Sequence, residues 1–119
     1  MSQAYIFAEV IQMAKIVDTN EFKLGLHENF RKTPVFRFND QYLGLAWFEG
    51  EYKLHKHDKD EVFLVLEGHL TIEVEGKLMD VGPDMAILIK KGEAHKSKAT
   101  RKTLVAVFEP QGIGIEYLE

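Results

Sequence analysis

The stretch GEYKLHKHDKDEVFLVLEG, from Gly50 to Gly68, decides how this chain is read. Two histidines, His55 and His57, lie two residues apart, and Glu61 follows four residues after the second. The side-chain period of a β-strand is two, so His55 and His57 point to the same face. Asp58-Lys59-Asp60 predicts a turn, and Glu61 then opens an apolar run on a neighbouring strand. Two imidazoles and a carboxylate brought together suit a divalent metal ion of borderline softness.

On either side of this stretch, short apolar runs alternate with turn residues. Val35–Phe38 ends at Asn39-Asp40, and Tyr42–Glu49 follows. Tyr52–His57 and Glu61–Leu66 form the histidine and glutamate strands. His69–Val74 alternates cleanly and turns at Glu75-Gly76 into Lys77–Val81. Met85–Ile89, Ala94–Ala99 and Leu104–Phe108 complete the strong runs, and Ile113–Leu118 predicts one more short strand. Many short strands joined by glycine and proline turns, with no long helical segment between them, indicate a sandwich or small barrel. The region ahead of Pro34 reads differently. Residues 1–17 fit a mostly buried helix or a strand, Asp18-Thr19-Asn20-Glu21 a turn or helix N-cap, and Phe22–Thr33 a loop or short helix. We therefore divide the chain into an N-terminal extension, residues 1–33, and a β-barrel, residues 34–119.

Two strands are apolar on both faces. In one, Phe63 and Val65 oppose Val62, Leu64 and Leu66; in the other, Val105 and Val107 oppose Leu104, Ala106 and Phe108. Such strands need cover on both sides. The second cover is expected from a partner subunit, making a homodimer, or else from the N-terminal extension.

The 119 residues carry a net charge of −4, which points to neither nucleic-acid nor membrane-surface binding. With no cysteine, neither a disulfide nor a thiolate metal site can form. The apolar N-terminal stretch is interrupted by Glu9, Gln12 and Lys15, too broken for a membrane span. A cytoplasmic protein is the expectation.

A second cluster of motif residues lies at Gly92-Glu93-Ala94-His95, where a tight turn leads His95 into a strand. At this point the sequence resembles the cupin superfamily. The first motif of that family, glycine, His-x-His, glutamate and glycine, is matched by Gly50, His55, His57, Glu61 and Gly68. The Gly-x-x-His core of the second is matched by Gly92 and His95. The first motif is one residue short between Gly50 and His55, and the second has Lys90 for the common proline and Ala99 for the common asparagine.

The resemblance implies an all-β double-stranded β-helix, a jelly-roll barrel, in which His55, His57, Glu61 and His95 bind one metal ion. Three nitrogens and an oxygen suit Mn, Fe, Co, Ni, Cu or Zn. The function it implies is binding or conversion of a small molecule inside the barrel, by a metal-dependent oxygenase or isomerase, with a non-catalytic binding module as the alternative. No catalytic acid or base stands out. Glu49, on the strand before the motif, is the one carboxylate singled out as a candidate. His69 reads as a surface residue, Lys96 and Lys98 as facing away from His95, and Trp47 and Phe48 as facing opposite ways.

Overall fold

The structure, a computed structural model, describes residues 13–119. The expected helix or strand over residues 1–17 falls mainly outside the described residues, and residues 13–18 carry neither. Asp18 caps a one-turn helix, α1 (Thr19–Phe22), by accepting from the Asn20 N–H at 2.8 Å. A 3-10 turn, Lys23–Gly25, follows.

The rest is β-structure, as expected: β1 (Thr33–Phe38), β2 (Gln41–Glu51), β3 (His55–His57), β4 (Glu61–Glu67), β5 (Leu70–Val74), β6 (Lys77–Val81), β7 (Ala86–Ile89), β8 (His95–Pro110) and β9 (Ile115–Tyr117). Every pairing between these strands is antiparallel, and together they form one curled sheet. Two hairpins turn where the sequence placed them. Asn39-Asp40 joins β1 to β2, with Asn39 at a φ of 51°. Glu75-Gly76 joins β5 to β6, with positive φ at both residues as a two-residue hairpin turn of this hand requires.

The two runs Ala94–Ala99 and Leu104–Phe108 are parts of one strand. β8 continues through the exposed residues Thr100, Arg101 and Lys102 and pairs with β2, β3, β4 and β5 in turn. Beside that exposed segment the chain reverses from β4 into β5 at Gly68. A Cβ at Gly68 would lie 2.8 Å from the Thr103 Cα, and its φ is +89°, so only glycine fits here. The buried Thr103 hydroxyl accepts from the His69 N–H at 3.0 Å and lies 3.1 Å from the His69 carbonyl, which fixes the close approach.

Alternation sorts the side chains as expected. Phe48, Phe63, Val65, Ile72, Val105 and Val107 fill the barrel interior. On the outer face Leu45, Leu104 and Ala106 are buried together with Leu26, and Phe22, Trp47, Leu64 and Leu66 pack against them. The segment around α1 thus supplies part of the second cover within the same chain. Further along that face, Leu88 is 52% exposed opposite Val62. No helix among the described residues is long and apolar enough to cross a membrane.

Candidate metal centre

His55 and His57 occupy alternate positions of β3, and both are buried. His95 begins β8 directly opposite His55. The ring centroids lie 4.2 Å apart for His55 and His95, 4.8 Å for His55 and His57, and 5.3 Å for His57 and His95. Glu61 reaches the same point from the start of β4. Its Oε1 is 3.5 Å from His57 Nε2 and 3.6 Å from His95 Nε2. All four residues singled out in the sequence therefore converge inside the barrel. The strands β3 and β4 do not pair with one another; each pairs with β8, which draws the four side chains together.

The turns hold this arrangement in place. Asp58, just after His57, accepts from the Gly114 N–H at 2.7 Å, and Asp60 accepts from the Lys91 N–H at 2.7 Å. Gly92, at a φ of +82°, donates its N–H to the His57 carbonyl at 2.9 Å and ties the two motifs together.

Each imidazole is fixed by a backbone carbonyl. His55 Nδ1 lies 2.7 Å from the Lys53 oxygen, His57 Nδ1 2.9 Å from that of Gly114, and His95 Nδ1 2.9 Å from that of Glu93. A carbonyl only accepts, so each Nδ1 carries the proton and donates it. In the neutral ring, Nε2 is then a bare lone pair directed at the centre, the arrangement a metal-ligating histidine needs. Burial pushes the pKa of His55 down to about 4 and that of His57 downward as well, which keeps these two rings neutral.

Three buried side-chain atoms among the described residues have no hydrogen-bond partner: His57 Nε2, Glu61 Oε1 and His95 Nε2. Buried polar atoms are seldom left unpaired. These three face one another, and all are donors of an electron pair. Neutral nitrogens and a carboxylate oxygen cannot satisfy each other, but a cation among them satisfies all three. Ligands at about 2.1 Å from a shared ion stand about 3.0–3.4 Å apart, close to the spacings here. The buried histidine and glutamate cluster thus fits a metal ion.

Three residues not singled out in the sequence adjoin the cluster. Glu109 lies beside Glu61, one step beyond the Val62–Phe108 pair of β4 and β8, and is fully buried. Extending the inward alternation of Val105 and Val107 by two residues reaches it. The Tyr42 hydroxyl donates to Glu109 Oε1 across β2 and β8. Lys32, from the loop before β1, places its Nζ 2.7 Å from Glu61 Oε2 and 3.3 Å from Glu109 Oε1.

These contacts divide the two carboxyls. Burial opposes ionisation of Glu61, but the Lys32 ammonium, by its charge and its hydrogen bond to Oε2, holds the group well below the usual carboxylate range. Burial, reinforced by the neighbouring Glu61, pushes Glu109 up to about 7. Burial and then Glu109 raise the Tyr42 hydroxyl, which stays protonated. For Lys32 the desolvation that would lower its pKa is overcome by the two carboxylates, and it is raised.

A cavity of about 60 Å³ opens beside His55 and His95. Phe30, Phe48, Phe63 and Tyr52 line it with aromatic carbon, and Ser97 and Lys32 supply its polar edge. Phe48 faces inward and Trp47 outward, where Lys102 lies 4.4 Å from the indole centroid. Glu49 is exposed, and its backbone pairs with Asn29; it lies apart from the cavity. His69 is on the surface beside Asp80, and Lys96 and Lys98 face away from His95.

Comparison with known proteins agrees with this geometry. A family model described as a cupin domain matches residues 48–109. The uncharacterised protein YdbB of Bacillus subtilis strain 168 is 40% identical over 80 residues, covering 66% of this chain and 68% of that protein. Among solved structures, a cupin-2 domain containing protein from Shewanella frigidimarina NCIMB 400 superposes with a TM-score of 0.78 at 28% identity, over 81% of this chain and 95% of that one. The hydroquinone 1,2-dioxygenase PnpCD, solved with Cd2+ and 4-hydroxybenzonitrile, superposes with a TM-score of 0.70 over 84% of this chain and 81% of that one. At 13% identity it speaks for the fold alone. By its family match, its curated relative and its barrel, the chain belongs to the cupin family.

Proposed function

We propose that this chain is a metal-dependent oxygenase for a small molecule, with His55, His57, His95 and Glu61 holding one divalent transition ion. The observation that carries the reading is the group of three partnerless buried atoms, His57 Nε2, Glu61 Oε1 and His95 Nε2, facing one another beside a cavity. When bound, such an ion supplies a Lewis-acidic and redox-active centre with positions left for a small ligand. The backbone carbonyls at Lys53, Gly114 and Glu93 hold the three imidazoles in the ligating tautomer. Phe30, Phe48 and Phe63 exclude water and pack on the apolar part of the substrate. Tyr52, whose pKa burial pushes up to about 12, stays protonated and shares a 2.6 Å hydrogen bond with Tyr117.

An isomerase needs a group free to move protons. Glu61, Glu109 and Lys32 are engaged with one another, which favours oxidation over isomerisation. The same engagement favours, as second reading, a receptor that binds its ligand without turnover. Oxygen uptake by Fe(II)-loaded protein, across a panel of small diols and phenols, separates the two. Uptake with at least one compound supports the oxygenase; full iron occupancy with no uptake leaves the receptor.

We also propose a homodimer through the part of the outer face that carries Val62 and the exposed Leu88. A single-chain mass by light scattering at micromolar concentration ends that proposal.

A further inference from the structure

The loop ahead of the barrel is anchored so as to deliver one side chain. The Asn29 amide donates to the Glu49 carbonyl at 2.7 Å and accepts from the Glu49 N–H at 2.9 Å. The Phe30 N–H donates to the Trp47 carbonyl at 2.7 Å, and Phe30 is held at a φ of 66°, a conformation that a bulky residue adopts only under constraint. Two residues later the Lys32 side chain passes Phe63, its Nζ 5.8 Å from the ring centroid, and ends between two buried carboxyls.

The two oxygens of Glu61 are treated differently. Oε2 accepts from Lys32 at 2.7 Å, whereas Oε1 faces His57 and His95 with no partner. Glu109 has no free oxygen: Oε1 receives Tyr42 and Lys32, and Oε2 lies 3.5 Å from the same ammonium. Yet His57, Glu61 and Glu109 also stand close enough together to hold an ion. What occupies the two carboxyls of that second group is the Lys32 cation.

We propose that Lys32 is a positioning residue of the metal centre: by occupying Glu61 Oε2 and the Glu109 carboxyl, it confines Glu61 to one coordinating oxygen and keeps Glu109 off the ion. The inference rests on the metal reading above. A ligand set limited in this way leaves more of the ion's positions to water and to a small molecule. The cost is a positive charge held a few ångströms from a divalent cation, which weakens its binding.

The test is Mn(II) titration by electron paramagnetic resonance, with exchangeable waters counted by water-proton relaxation. It compares the wild type, Lys32→Met and the charge-balanced Lys32→Met/Glu109→Gln. The double variant leaves no surplus buried carboxylate, so it reports even where the single variant does not fold. Both variants are expected to bind Mn(II) about tenfold more tightly or better, with fewer exchangeable waters, as Glu61 turns its second oxygen to the ion. A folded double variant with unchanged or weaker affinity and the wild-type water count overturns the role of Lys32 and leaves the metal reading standing. A wild type that takes up none of Mn(II), Fe(II) and Co(II) ends both.

Discussion

Glu61 and Glu109 lie side by side on the inner face of β4 and β8, and burial does not distinguish them: they are 1% and 2% exposed. What surrounds them does. On one side of Glu61 are three imidazoles that donate their only protons elsewhere, so Oε1 meets bare lone pairs. On the other side are an ammonium and a phenol, both donors, and Glu109 is satisfied by them. One side of the barrel floor is unfinished without a cation, and the other carries its own. A buried carboxylate therefore marks a metal ligand only when its neighbours lack protons to give.

The contrast makes graded predictions. The largest effect belongs to the imidazole side. His57→Ala is expected to remove essentially all stoichiometric metal, as read by element analysis, because it deletes the imidazole that faces both Glu61 and His95. Glu61→Gln comes next. It leaves Lys32 without its closest partner and the ion without its charged ligand, and chelator competition should show a loss of more than about 100-fold in affinity.

Glu109→Gln touches the self-sufficient side. It should keep one ion per chain at close to the wild-type affinity, because Tyr42 and Lys32, not the ion, satisfy this carboxyl. Equal losses from Glu61→Gln and Glu109→Gln would erase the distinction between the two carboxyls. The smallest effect is that of Tyr42→Phe, which removes one hydrogen bond to Glu109. It should lower stability by about 1 kcal/mol in urea unfolding and leave metal content unchanged.

The imidazole side was legible in the sequence through short-range rules together with the resemblance to the two cupin motifs. His55 and His57 share a face by strand period, Glu61 opens an apolar run, and Gly92 and His95 form a compact turn motif. Gly68 was legible only as the closing glycine of the first motif; its necessity comes from Thr103, 35 positions away in the chain and in contact through the fold. Glu109 was within reach, since it continues the inward alternation of Val105 and Val107, but the run was stopped at Phe108 where apolar residues end. β8 was divided for the same reason: the polar segment around Thr100–Lys102 resembles a break, although its backbone stays in the sheet. Lys32 was not legible by any local pattern. It reaches Glu61 because Asn29 and Phe30 bond to β2, contacts between segments about 20 residues apart that no periodicity encodes.

The account stands on the claim that the unfinished side holds an ion. Element analysis of protein purified without chelators or a metal-affinity column tests it most directly, with His57→Ala prepared alongside. About one transition-metal ion per chain in the wild type, lost in the variant, is the expected result. A wild type that is metal-free as purified and takes up none of Mn(II), Fe(II), Co(II), Ni(II), Cu(II) or Zn(II) would contradict it.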